Sequence, residues 1–152
     1  MKGLLCGKSS VSCGEWGLLI LRVAVGLVFF AHGAQKLLGW FGGPGIAGTA
    51  GFLGQLGFAG AGFWAWALAL AEFFGGLGLI LGLCTGIAAI LLGIVMLVAL
   101  FTVHLKNGFF APGGIEYVLV LLAAAAALGL AGPGKWALGE RLGCDRNKNV
   151  LS

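Results

Sequence analysis

The sequence predicts an all-α integral membrane protein: a four-helix bundle with an apolar, glycine-rich outer loop between helices 1 and 2. Three observations lead there. Of 152 residues, 60% are apolar and only 9% charged, with a mean hydropathy of +1.06, whereas a soluble domain carries about 25% charged residues. Four apolar runs, Trp16–Leu38, Phe63–Cys84, Gly86–His104 and Ile115–Ala131, each approach the roughly 20 residues that a helix needs to cross the hydrocarbon core. Finally, Glu72 lies near the middle of Trp64–Cys84, where Cys84 is the only other ionisable side chain. A carboxylate at bilayer depth faces a protein interior and a partner rather than lipid.

The first run is interrupted by Arg22 and preceded by a long polar lead-in, and three further spans follow, so it reads as a retained helix rather than a signal peptide. Its outer end carries His32, Gln35 and Lys36, with His32 and Lys36 four apart on one face. The loop Gly39–Gly62 has no charge. Within it, Ile46–Leu56 can form a short glycine-weakened helix after a break at Pro44, half-submerged at the interface either as a lid over an opening in the bundle or as a plain apolar connection. The second run carries Glu72 within roughly two turns of the outer end. Gly78, Gly82 and Gly86 repeat at four-residue spacing near its other end, and Ala123 and Ala127 do so in the fourth run; both patterns suit close helix packing. The third run ends at His104, Lys106 lies in the following loop, and Glu116 opens the fourth run. The expected division is an N-terminal segment 1–15, a helical domain 16–134 and a basic tail 135–152.

Charge sets the expected orientation. Lys2 and Lys8 precede the first span and Lys135, Arg141, Arg146 and Lys148 follow the last, so both termini are expected on the cytoplasmic side. The net charge of +4 then reads as contact with membrane lipids, not as a nucleic-acid footprint. Trp16 and Trp136 fall at the inner ends and Trp40, Trp64 and Trp66 at the outer ends, as an aromatic belt requires. Cys6, Cys13, Cys84 and Cys144 map to the cytoplasmic side, where they are expected to be ordinary reduced thiols. No Cys-x-x-Cys motif occurs.

Every span thus sends an ionisable group toward the outer half of one bundle. The structural reading is an ionic lock on Glu72, with His32, Lys36 or a long reach from Arg22 as its partner; Arg22 can instead bond helix carbonyls or snorkel. The functional reading makes Glu72, His32 and Lys36 the reactive groups, with Arg22, Gln35, His104, Lys106 and Glu116 as the binding rim. Lys36 with a histidine can hold an anion or hydrogen-bond a quinone carbonyl, and Glu72 or Glu116 can pass protons. Phe29, Phe30, Phe73 and Phe74 can supply an apolar slot, or simply pack the bundle. His32 and His104 lie at similar depth and could ligate haem b or a chlorophyll-type pigment; histidines at membrane ends more often face water or pair with acids. No ligand set suits zinc. A transporter is disfavoured by four spans, no inverted repeat and no Pro-broken helix pair.

These residues resemble the DoxX family. Arg22-x-x-x-Gly26 followed by Phe30-Ala31-His32-Gly33-Ala34-Gln35-Lys36-Leu37 looks like its first-helix signature. Glu72-Phe73-Phe74-Gly75-Gly76, Leu81-Gly82-Leu83-Cys84-Thr85-Gly86, His104-Leu105-Lys106-Asn107-Gly108-Phe109-Phe110, Glu116 and Gly132-Pro133-Gly134 continue it in order. The resemblance implies a four-helix protein of the bacterial cytoplasmic membrane. Some relatives form the membrane part of a thiosulfate:quinone oxidoreductase, others belong to oxidative-stress complexes, and distant ones act as assembly chaperones. Two functions follow as expectations. One is a quinone-facing redox subunit, working with a redox partner and a small sulfur anion. The alternative is a non-catalytic accessory or assembly subunit among other membrane protein subunits of a respiratory or photosynthetic complex. The chain departs from the oxidoreductase members in having no cysteine on the outer side to carry sulfur.

Overall fold

The computed structural model describes residues 10–110 and 112–145; Cys6, Lys2, Lys8, Arg146 and Lys148 lie outside the described residues. Helix α1 (Ser10–Leu38) runs until Gly39, whose left-handed backbone (φ 70°) ends it, a conformation glycine enters without a Cβ clash. A 3-10 turn at Trp40–Gly42 and then Pro44 lead into α2 (Gly45–Gln55), the short helix expected within the apolar loop. Helix α3 (Ala61–Leu81) closes on Gly82, with the Leu83 N–H donating to the Gly78 carbonyl at 2.8 Å, a bond that satisfies an orphan carbonyl of the last turn. Helix α4 (Thr85–Ala99) continues through a π turn (Leu100–His104) and a 3-10 turn (Leu105–Asn107). Helix α5 (Ile115–Ala131) and the single turn α6 (Leu138–Arg141) complete the order.

The segments Cys13–Leu38, Ala61–Leu81 and Thr85–Asn107 are long and apolar enough to cross a membrane, and α5 is an apolar helix of 17 residues. Ile20, Phe74, Ile87, Ile94, Val120 and Leu130 point outward from the four long helices. A surface this apolar has lipid as its natural solvent. Inside, Phe29, Leu79, Leu92, Leu121 and Leu128 form the centre of one core. Helix α1 packs most extensively on α3 and α4 on α5; contacts of α3 with α4 and of α1 with α5 close the ring, and α2 lies across α1 and α3.

The α1–α3 contact is a backbone contact. A Cβ on Gly33 would strike the Phe73 backbone, one on Gly76 the Phe30 backbone, and one on Gly26 would come within 2.9 Å of the Gly76 carbonyl. Helices approach this closely only through glycine, which is how membrane bundles gain packing energy without a hydrophobic drive. The expected Gly78–Gly82–Gly86 face is therefore not the packing seam. Gly86 meets nothing within 4 Å, and Gly82 serves the α3 terminus with φ 67°. Ala123 and Ala127 are likewise exposed, while Ala125 is the buried alanine of α5. Four-residue spacing marks one helix face and says nothing about which face meets a partner.

At the terminal end of the bundle, the segment after α5 folds back and is tied down. Arg22, 1% exposed, donates from Nη1 to the Pro133 carbonyl (2.7 Å) and from Nη2 to those of Lys135 and Trp136 (both 3.4 Å). The Gly139 N–H donates to the Gly82 carbonyl at 2.8 Å, and the Asp145 carboxylate accepts from the Thr85 N–H at 3.1 Å, at the start of α4. There a carboxylate is favoured by the helix dipole. Trp16 and Trp136 meet edge to face at 5.1 Å, so both mark this end as expected. A disulfide joins Cys84 to Cys144, and Cys13 is also disulfide-bonded. The expectation of reduced thiols is thus corrected. Cys84 and Cys144 stand 60 residues apart, and only the fold-back brings them together, so spacing motifs carried no sign of it.

Replacing Gly33 with Ala is expected to lower stability by about 1–3 kcal/mol, the usual range for overpacking. Gly86→Ala should stay within about 1 kcal/mol of wild type. Thermal midpoints in one detergent measure both, and equal effects would refute the α1–α3 seam.

Candidate functional site

Between the α1/α3 pair and the α4/α5 pair lies a cavity of about 720 Å³, within the range of small-molecule sites. Its walls are apolar: Ala67, Leu68 and Ala71 from α3, Leu91, Ile94 and Val98 from α4, and Val118 and Leu121 from α5, with Phe29 at the α1 side. Phe52 and Leu53 of α2, together with Phe58, cover it, which makes the apolar loop a lid in the geometric sense. Leu91, Ile94 and Val98 line the cavity yet remain exposed, so it is open on the α4 side instead of sealed.

The polar lining consists of His32, Lys36, Glu72, Thr102, His104 and Tyr117. Lys36 donates to Glu72 in an ion pair between α1 and α3. Glu72 is 3% exposed, so its carboxylate is held inside the protein and Lys36 is its partner, chosen from the three cations the sequence offered. The pair is possible because the glycine seam brings the backbones together one turn away: Gly33 abuts Phe73 and Glu72, and Lys36 follows Gly33 on the same side of α1. His32 is on that face too and is exposed to the cavity. His104 arrives from α4 by way of the π turn, and its Nδ1 lies 2.5 Å from the Gly113 carbonyl. The Thr102 hydroxyl donates to the Val98 carbonyl at 2.8 Å, leaving its lone pairs free to face the cavity.

Four of the eight expected site residues, Glu72, His32, Lys36 and His104, are thus brought to one cavity. The others are not among its lining. Arg22 is at the opposite end on the carbonyls of the folded-back segment. Gln35 sits about 100° round the helix from Lys36 and packs against Gly43. Lys106 and Glu116 are exposed beyond the cavity. Of the four phenylalanines, Phe29 lines the cavity; Phe30 and Phe73 stack across the α1–α3 seam with centroids 4.8 Å apart, and Phe74 faces outward. Tyr117 and Thr102 were missed. Tyr117 is the chain's one tyrosine and stands beside Glu116, so the expected rim was off by one helical position. Among the described residues no group of three His, Cys, Asp or Glu is placed to hold a metal ion.

An all-helical membrane bundle with an apolar, laterally open cavity and an ion pair at its polar end is the class of protein these features define. The chain belongs to the DoxX family, whose model matches residues 17–105, from α1 to the turn after α4. It is also 35% identical over 114 residues to the "Putative oxidoreductase CatD" of Bacillus subtilis (strain 168), covering 75% of this chain and 79% of that one. No solved structure matches.

Removing one partner of a buried pair leaves a bare charge, so Lys36→Met is expected to cost about 3–5 kcal/mol, whereas Lys36→Met with Glu72→Leu should recover most of it. Melting the single and double variants in detergent tests this. Costs that simply add would mean the two groups are not coupled.

Proposed function

We propose that this protein is a quinone-binding membrane component of a redox system. The observation that carries the reading is the cavity: an apolar space large enough for a substituted ring, open toward lipid, with its hydrogen-bonding groups gathered at one end. A lipophilic quinone fits such a site on chemical grounds. Its ring would lie against Phe29 and the aliphatic walls, and its oxygens would accept from the Lys36 ammonium and the His32 ring. When bound, the quinone supplies the two-electron chemistry. The chain's own part is to hold the ring, to keep water from most of it, and to carry protons at the Glu72 carboxylate. A small sulfur anion is the poorer match, because it would meet the Glu72 carboxylate as well as the Lys36 ammonium. The oxidoreductase name of the Bacillus relative supports a redox reading without naming a substrate.

The proposed location is the bacterial cytoplasmic membrane with both termini on the cytoplasmic side. Two signals at the terminal end disagree. Lys135 and Arg141, together with Lys2, Lys8, Arg146 and Lys148 of the sequence, assign it to the cytoplasm, while the Cys84–Cys144 disulfide suits an oxidising compartment. The charge rule acts during insertion and sets orientation, whereas a disulfide follows the redox poise of wherever its cysteines then lie. We therefore let charge decide.

Protein in lipid nanodiscs should be labelled saturably by a photoreactive short-chain quinone at peptides of α3 and α4. Ala71→Trp, which fills the cavity, should abolish the labelling. Labelling elsewhere, or labelling indifferent to Ala71→Trp, would sink the quinone site. In native membranes Glu72→Gln should keep the quinone bound and lose its reduction; unchanged turnover would remove Glu72 as proton carrier.

For the orientation, the native cysteines serve as reporters. After the Cys84–Cys144 bridge is opened with a membrane-permeant reductant, a membrane-impermeant maleimide should modify both cysteines in inverted vesicles and not in intact spheroplasts. The reverse pattern would place this end outside.

A further inference from the structure

His104 is held in a way that settles which of its nitrogens can accept. Its Nδ1 lies 2.5 Å from the Gly113 carbonyl oxygen. A carbonyl only accepts, so Nδ1 is the nitrogen that carries the proton, and in the neutral ring Nε2 is left as a lone-pair acceptor. The Gly113 carbonyl is itself fixed. It also takes the Asn107 amide at 3.1 Å, and Asn107 reaches the Val103 carbonyl at 3.4 Å. The loop that presents it is closed by the Ile115 N–H on the Gly108 carbonyl at 3.1 Å. Gly113 has φ 80°, a backbone that disfavours a side chain at this position. The π turn ending at His104 gives a second, independent sign, since such turns recur where a helix re-aims a functional side chain.

We infer that His104 Nε2 is the acceptor for a ring hydroxyl, so that the cavity takes a hydroxylated aromatic ring, the hydroquinone form, in preference to its quinone or its O-alkylated ether. This rests on reading the cavity as a quinone site and adds to it the form that is recognised. Of the other polar groups, the Glu72 carboxylate is engaged by Lys36 and Lys36 can only donate. The Thr102 hydroxyl, its proton on the Val98 carbonyl, is a less basic acceptor than an imidazole nitrogen. Among the described residues, no hydrogen bond fixes the His32 ring or the Tyr117 hydroxyl as an acceptor. His104 is here a binding and positioning residue: it selects a ligand bearing a proton on oxygen and turns that hydroxyl toward the π turn. An ether of the same ring would leave Nε2 facing an oxygen lone pair, two acceptors with nothing to share.

The test is competition against the photoreactive quinone, under anaerobic conditions and in nanodiscs, by trimethylhydroquinone, its dimethyl ether and trimethylbenzoquinone. The hydroquinone is expected to compete roughly tenfold better than the ether, the gain of one hydrogen bond. In His104→Leu that difference should vanish while competition by the ether persists, a discrimination that a purely structural histidine would not control. Should the variant fail to fold, nitrogen-15 NMR of histidine-labelled wild type reads the ring directly, with Nδ1 protonated and Nε2 bare as the expected result. Equal competition by hydroquinone and ether, or a proton on Nε2, overturns the inference and leaves the quinone site standing. If none of the three rings competes and no cavity peptide is labelled, the site itself falls.

Discussion

The close approach of α1 and α3 is the constraint on which the rest depends. Gly33 and Gly76 let each backbone touch the other at Phe73 and Phe30, a distance no side chain would permit. One turn further along α1, Lys36 is thereby carried to Glu72, and a carboxylate that lipid would reject becomes half of a hydrogen-bonded pair. The ion pair is a consequence of the seam rather than its cause. Coulomb attraction does not pull two helices into backbone contact, but backbone contact brings two side chains of limited reach within bonding distance. The same tight pairing leaves the bundle asymmetric. With α3 drawn onto α1, the space between α3 and the α4/α5 pair stays open at one end and becomes the cavity.

The two ends of the bundle are built on opposite principles. At the terminal end the charged groups Arg22 and Asp145 are engaged in structure. The Arg22 guanidinium is taken up by three carbonyls, Asp145 caps α4, and the Cys84–Cys144 bridge closes the fold-back covalently. At the other end the polar groups are gathered around an unfilled volume and keep spare hydrogen-bonding capacity. A membrane protein can afford uncommitted polar side chains only where they face a cavity, so their concentration at one end follows the position of the cavity.

Much of the fold could be read from the sequence, because in a membrane the solvent writes it in plain terms. Run lengths located the spans, the tryptophans their ends, and Pro44 with the glycines the short helix of the outer loop. Four of the expected residues reach the cavity for the same reason: Glu72 has to have a partner, and His32, Lys36 and His104 were at the right depth to surround it. What could not be read was rotation about the helix axes. With almost every residue apolar, periodicity does not say which face is inner, so Gly86, Ala123 and Ala127 passed for packing positions although they face outward. Gln35 and Glu116 failed in the same way, each one residue from a position that lines the cavity. The disulfide escaped for a different reason, since contact between Cys84 and Cys144 is created by the fold-back and by nothing local.

The π turn shows why such rotations matter. Along α4 the cavity is lined by Leu91, Val95, Val98 and Thr102, spaced at the helical repeat, and also by Ile94, Met96, Ala99 and Val103. Carried on as a regular α-helix, that face leaves His104 about 160° from Thr102. The π turn at Leu100–His104 takes up an additional residue, which sets back the residues after it and returns the imidazole to the cavity wall. Such a turn weakens the helix ladder, and nothing in the apolar run Gly86–His104 calls for it as a matter of lipid solvation. What it accomplishes is local: a histidine that would have ended the helix in the headgroup layer instead borders the space beside Lys36 and Glu72. A fold that only had to cross the bilayer would have no use for that register shift, which is the feature of this end that bilayer crossing alone does not explain.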